Sequence, residues 1–244
     1  MANWSDPRIA SAQPATTAAG RDVAFDAGLR AHMLSVYNYM ASAVLLTGIV
    51  AYAFAWSGMA QQIFYGGGML RWVIIFAPLL MVFALSFGAN RMSTGAMQAF
   101  YWAFAVVMGL SMSVIPLIYD GTSIAATFFA TSAAFVSLSL WGYTTKKDLS
   151  AFGTFLIMGV VGLIIAMVAN FFIRSDTMSM VISFIGVLLF AGLTAYDTQK
   201  IKSVYLQVAG SDMVGKAAIL GALTLYLDFI NMFTFLLQLM GSRD

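Results

Sequence analysis

The sequence predicts an all-α membrane protein of seven transmembrane helices, and three observations in the chain predict it. Hydrophobic residues make up 61% of the 244 residues and charged residues only 9%, against about 25% charged in an ordinary soluble domain. The mean hydropathy is +0.88, too apolar for a surface kept in water. The apolar residues arrive in blocks of about 20 separated by short polar breaks, the length that crosses a hydrocarbon core about 30 Å thick. A single helical bundle over 31–244 follows, behind a tail over 1–30. That tail, from Met1 through Pro14, Ala15, Thr16 and Thr17 to Arg30, is polar or small and lacks the apolar run of a signal peptide. It reads as a disordered cytoplasmic segment.

The spans fall near 31–55, 71–89, 98–118, 122–142, 151–173, 178–199 and 217–240, each a run long enough to cross and bounded by charge or turn residues. Gly66-Gly67-Gly68 closes the loop after the first span, and Asn90-Arg91 ends the second. Asp120-Gly121 makes a tight turn between the third and fourth, and Lys146-Lys147-Asp148 separates the fourth from the fifth. Pro78 and Pro116 are expected to kink or end their helices, which membrane bundles tolerate.

Lysine and arginine segregate across these spans. Arg8, Arg21, Arg30, Arg91, Lys146, Lys147, Lys200, Lys202 and Lys216 fall on the N-terminal side, and Arg71, Arg174 and Arg243 on the other, which accounts for all 12. The positive-inside rule then puts the N-terminus in the cytoplasm, and an odd number of spans puts Asp244 outside. Removing any one span would scramble the segregation downstream of it.

Composition excludes much chemistry. There is no Cys and a single His, His32, which at the start of the first span reads as interfacial. No thiolate nucleophile, disulfide, Cys-ligated metal or bis-His haem is available. The lysines all fall in loops, which excludes a retinal Schiff base in the last span, and no P-loop or transporter-type repeat is present. A net charge of +2 is too small to argue for nucleic acid. The reading is of a protein that is not an enzyme and needs no cofactor, with the lipid bilayer as its first partner.

All ten acidic residues are Asp, and eight of them lie in the tail, in loops or at the terminus. The other two are Asp197, near the end of the sixth span, and Asp228, well inside the seventh. A carboxylate placed in lipid costs roughly 2.5 to 3.5 kcal/mol on insertion scales, so Asp228 must face other helices or water. Gly221, Thr224, Asp228, Asn231, Phe235 and Gln238 recur every three or four residues and form one stripe on the seventh span. Ser183, Gly186, Phe190, Thr194 and Asp197 form a comparable stripe on the sixth.

The sixth span runs toward the cytoplasmic face and the seventh starts from it, so the two aspartates are placed to meet. Two carboxyl groups in a poorly solvated site cannot both ionise cheaply and would share a proton, which makes the pair a pH sensor. Arg91 lies on the same side and would pair with the ionised form. The plainer alternatives are interhelical hydrogen-bond glue for Asp228, an interfacial pairing with Lys200 for Asp197, and a positive-inside anchor for Arg91.

The segments Ala191-Gly192-Leu193-Thr194-Ala195-Tyr196-Asp197-Thr198-Gln199-Lys200-Ile201-Lys202 and Leu225-Tyr226-Leu227-Asp228-Phe229-Ile230-Asn231-Met232-Phe233 resemble the signature of the Bax inhibitor-1 family in its bacterial form. The resemblance extends from about Arg30 onward, through Gly109-Leu110-Ser111 and Gly142-Tyr143-Thr144-Thr145-Lys146. It implies a multi-pass bacterial inner-membrane protein whose last helix sits at the centre of the other six. It also implies a pH-dependent calcium leak in which Asp197 and Asp228 are the sensor and gate and Arg91 the latch. Thr194, Thr224 and Asn231 are the candidate polar pore lining. Asp197 and Asp228, with the Asn231 amide and backbone carbonyls, offer calcium few of the six to eight oxygens it prefers, which suits transient occupancy by a permeating ion.

Two other classes of function remain open on the sequence. One is a membrane-embedded regulator that binds a membrane protease or a stress-response protein. The other is an intramembrane aspartyl protease, for which Tyr196-Asp197 resembles half of the signature while the Gly-x-Gly-Asp half is missing at Asp228.

Overall fold

A segment with no water around it must satisfy every backbone N–H and C=O internally, so apolar runs of this length have only the helix open to them. The computed structural model describes residues 18–89 and 91–242, with side chains from Asp26 onward. It consists of eight α-helices with no β-strand among the described residues. These are α1 (Ala18–Trp56), α2 (Met59–Tyr65), α3 (Leu70–Gly88), α4 (Thr94–Met112), α5 (Gly121–Thr144), α6 (Ser150–Ile173), α7 (Asp176–Val208) and α8 (Val214–Met240). Seven are long and apolar enough to cross a membrane, one for each expected span; α2 is a short helix in the first loop that hydropathy did not signal.

Helix ends follow local chemistry. Ser93 and Ser175 cap α4 and α7 by accepting the amides of Ala96 (3.2 Å) and Met178 (3.3 Å). Asp120 caps α5 through the Thr122 amide, and the Thr122 hydroxyl on the same carboxyl holds Asp120 below the usual carboxylate range. Ser150 does the same for Asp148 at the start of α6. Pro78 sits inside α3, whereas Pro116 falls in a 3-10 turn, Ile115–Leu117, that follows the end of α4.

Two boundaries differ from the sequence reading, and for one reason. Helix α1 begins at Ala18, so 18–30 is helix rather than tail, while 1–17, Asn90 and 243–244 lie outside the described residues. Helix α7 continues past the expected end at 199 to Val208, which shortens the link to α8 to 209–213. At 1.5 Å per residue α7 is about 50 Å long, more than a bilayer core needs. The two overhangs stabilise each other: Leu29 and Met33 of α1 share a core with Ile201 and Tyr205 of α7. His32, expected at the interface, is instead 4% exposed, with its ring 5.0 Å from that of Tyr205. Neither polarity nor apolar periodicity registers such packing outside the membrane.

The bundle is built round α8. Of its most apolar stretch 67% is buried, against 11% for α3 and for α6. Helices α1, α4, α5 and α7 pack directly on α8, while α3 leans on α4 and α6 on α7. The principal core gathers Val36, Leu85, Met97, Phe104, Leu225 and Tyr226 around α8, and a smaller one joins Leu156, Leu163 and Leu189 to Phe235. Small residues set the closest approaches. A Cβ on Gly142 of α5 would collide with the Ala195 carbonyl of α7, and one on Gly186 of α7 would lie 2.6 Å from the Phe235 ring of α8.

Gly142→Leu should therefore force α5 away from α7 and lower stability by about 1 to 3 kcal/mol, the usual cost of overpacking. Thermal unfolding in detergent reads this directly, and an unchanged midpoint would contradict the close approach.

Candidate functional site

The polar stripes of the sixth and seventh spans face each other along the antiparallel α7–α8 contact. At one end the Ser183 hydroxyl donates to Gln238 Oε1 at 2.8 Å. Next, Phe235 fills the space over Gly186, and its ring stacks on Phe190 with centroids 5.9 Å apart. Further along, the carboxyl groups of Asp197 and Asp228 face each other within hydrogen-bonding reach. Beyond them Ile201 packs over Gly221.

The acid pair is enclosed. Asp197 is 7% exposed and Asp228 4%. Among the described residues no hydroxyl, amide or basic group donates to the buried Asp228 Oδ2. The facing carboxyl of Asp197 is the group that can do so, and only when the pair holds a proton. Lys200, one turn from Asp197, is the cation acting on Asp197, and no cation acts on Asp228 among the described residues. Burial of two acids side by side is tolerable in this form because one proton removes one of the two charges.

A cavity of about 350 Å³ opens between the ends of α7 and α8 and is lined by Asp197, Lys200, Gly221 and Thr224. It reaches one acid of the pair from the end of the bundle that carries Lys200, Lys202 and Lys216. A second cavity, of about 410 Å³, lies at the opposite end and is lined by Asn170, Arg174, Asp176, Phe235 and Gln238. Arg174 adopts a left-handed backbone there (φ 56°) as it ends α6. The acid pair and the Phe190–Phe235 stack stand between the two cavities.

Of the candidate lining residues, Thr224 borders the first cavity, with its hydroxyl donating to the Leu220 carbonyl at 3.1 Å. Thr194 is fully buried and donates to Phe190 O, and Asn231 Nδ2 donates to Leu227 O, both at 2.8 Å. All three groups donate to carbonyls of their own helices. Arg91 is exposed in the turn after α3 and is not among the charges acting on either acid, so in this conformation the structure does not join it to the pair. Among the described residues no cluster of three or more His, Cys or acidic side chains forms a resident metal site.

Sequence reasoning missed two buried relays. The Tyr37 hydroxyl pairs with Ser139 (2.7 Å), and Ser139 with Thr198 (2.8 Å), linking α1 and α5 to the residue after Asp197. The Thr47 hydroxyl bonds Tyr226 (2.8 Å) and the Ala105 carbonyl (2.9 Å), tying α1 and α4 to α8. Their partners lie 58 to 179 residues apart, and one Ser or Thr in an apolar run carries no signal of which distant group it meets.

Fold and site together define a class: a polytopic helical membrane protein whose last helix is buried at the centre and carries an acid paired with one on the preceding helix. Within that class, the chain belongs to the Bax inhibitor-1 family. The family model described as Inhibitor of apoptosis-promoting Bax1 matches residues 29–244. An uncharacterized protein of Rickettsia prowazekii, RP147, is 45% identical over 228 residues, covering 93% of this chain and 96% of the relative. The Escherichia coli inner membrane protein YbhL is 40% identical over 219 residues, 89% of this chain and 94% of its own length. A Caulobacter vibrioides protein is 42% identical over 231 residues, with 91% and 92% covered.

The acids should behave as one unit in a double-mutant cycle of Asp197→Asn and Asp228→Asn, followed by unfolding in detergent. A coupling of about 0.5 to 3 kcal/mol is expected for groups in direct contact. Additive effects would place the side chains apart.

Proposed function

We propose that the protein is a proton-regulated calcium leak of a bacterial cytoplasmic membrane, with its N-terminus in the cytoplasm and its C-terminus outside. Asp197 and Asp228 act as sensor and gate. The observation that carries this reading is the enclosed acid pair lying between two cavities that open at opposite ends of one helix–helix contact.

A path along α7 and α8 supplies the few oxygens a passing calcium ion needs without a cage that would hold it. With a proton shared, the two carboxyls bind the helices to each other and offer a cation at most one negative charge. With that proton gone, two like charges face each other in a confined space, which strains the α7–α8 contact and attracts a divalent ion. The Phe190–Phe235 stack closes the apolar part of the path in the present conformation. Arg91, in the α3–α4 turn, serves as a latch only if that turn moves toward the ionised pair.

Calcium flux into proteoliposomes should change with pH across the titration of the pair. Asp228→Asn, which keeps the shape of the side chain and removes its charge change, should flatten that profile. A variant with unaltered flux and unaltered pH dependence would leave the acid pair without this role.

A further inference from the structure

Helices α1 and α5 both pack on α8 yet barely on each other. Between them lies a row of three cavities of about 400, 620 and 250 Å³. Tyr37, Phe135 and Val136 line both of the first two, and Val44, Gly48, Phe128 and Phe229 line both of the last two, so the row is one continuous groove. Along α1 it runs from Arg30 to Tyr52, about 33 Å at 1.5 Å per residue, which matches the hydrocarbon thickness. Its floor is Phe229 of the central helix, 4% exposed at the bottom of the gap.

The two ends of the groove differ in charge. The middle and far parts are walled almost wholly by apolar side chains, with Gly48 leaving open space where a Cβ would point. The near mouth is bordered by Arg30, Ser139 and Tyr143, and no carboxylate lines it. Lys202 adds a second cation there, with its ammonium 5.1 Å from the centre of the Tyr143 ring and 3.3 Å from the Tyr143 carbonyl. Asp26, one turn before Arg30, is exposed and lies off the lining.

We propose that this groove is a binding site for one anionic phospholipid from the leaflet on the lysine-bearing side. The headgroup phosphate sits at Arg30 and Lys202, and an acyl chain lies between α1 and α5 against Phe229. A dry apolar slot at that depth is filled by hydrocarbon rather than water. Lipid tails outside the protein are as apolar as the slot, so burial alone gives no preference, and the cations at the mouth supply it. The chain would touch the neighbour of Asp228, and the headgroup would border the Tyr37–Ser139–Thr198 relay that ends beside Asp197. The site stands whether or not the protein conducts ions.

Native mass spectrometry of the full chain in detergent, titrated with dioleoyl phosphatidylglycerol or dioleoyl phosphatidylcholine, tests the assignment. One phosphatidylglycerol should be retained in preference to phosphatidylcholine. Arg30→Gln should weaken the former on the order of fivefold and leave the latter unchanged. Gly48→Phe, whose side chain enters open space, should weaken both, and Ser132→Phe on the opposite wall should repeat the effect if the first variant folds poorly. Arg71→Gln, at the other end of the bundle, should change nothing. Equal retention of the two lipids by the parent protein overturns the proposal, as does phosphatidylglycerol binding by the folded Gly48 and Ser132 variants at the parent level.

Discussion

An acid inside a membrane bundle must be surrounded by protein, and the rest of this structure is organised by that requirement. Asp228 lies near the middle of α8, far from either end that would let a carboxyl reach water along its own helix. Lipid cannot solvate it, so other helices must. Helix α8 accordingly carries 14 buried residues, while α3 and α6, whose sequences hold no such group, turn most of their surface outward. The most apolar span, α6, stands at the periphery, and α8 at the centre is less apolar than either α3 or α6, the reverse of a soluble core.

The same requirement makes α7 the partner of α8. Asp197 is the acid that can reach Asp228 from a neighbouring helix, and the small residues Gly186 and Gly221 let the two backbones come close enough for it to do so. Close approach then commits the rest of the interface: Phe235 must lie over Gly186 and stack on Phe190, and Gln238 must meet Ser183. Seal, acid pair and polar clasp are therefore parts of one contact. Under the proposed function, a change in the charge of the pair would be felt along its whole length, because packed interfaces of this kind shift as units rather than yield gradually.

Closeness on one side leaves space on another. Helices α1 and α5 reach α8 from directions that the α7 contact leaves free, and they are joined through the Tyr37–Ser139 hydrogen bond more than by packed side chains. The gap between them has Phe229, the neighbour of the acid, at its floor. The acid and the floor of the groove are thus adjacent residues of the central helix, both buried at 4% exposure, so whatever fills the groove lies one residue from the acid.

Much of this was legible in the chain alone. Seven apolar runs of crossing length, the segregated lysines and the two displaced aspartates were sufficient for the number of helices, their alternation and the polar faces of α7 and α8, because hydropathy and helical period are local properties of consecutive residues. The Asp197–Asp228 meeting was legible too, since both lie on stripes that the topology turns toward one end. Only the tertiary structure decided that α7 and α1 extend beyond the membrane to bury His32 against Tyr205, that Thr194 and Asn231 bond their own helices, and that Arg91 stands apart in its turn. It alone also joined Tyr37 to Ser139 and Thr198 and opened the groove over Phe229. Those outcomes depend on which surfaces remain after distant helices have packed, and side-chain spacing along one helix holds no record of its neighbours.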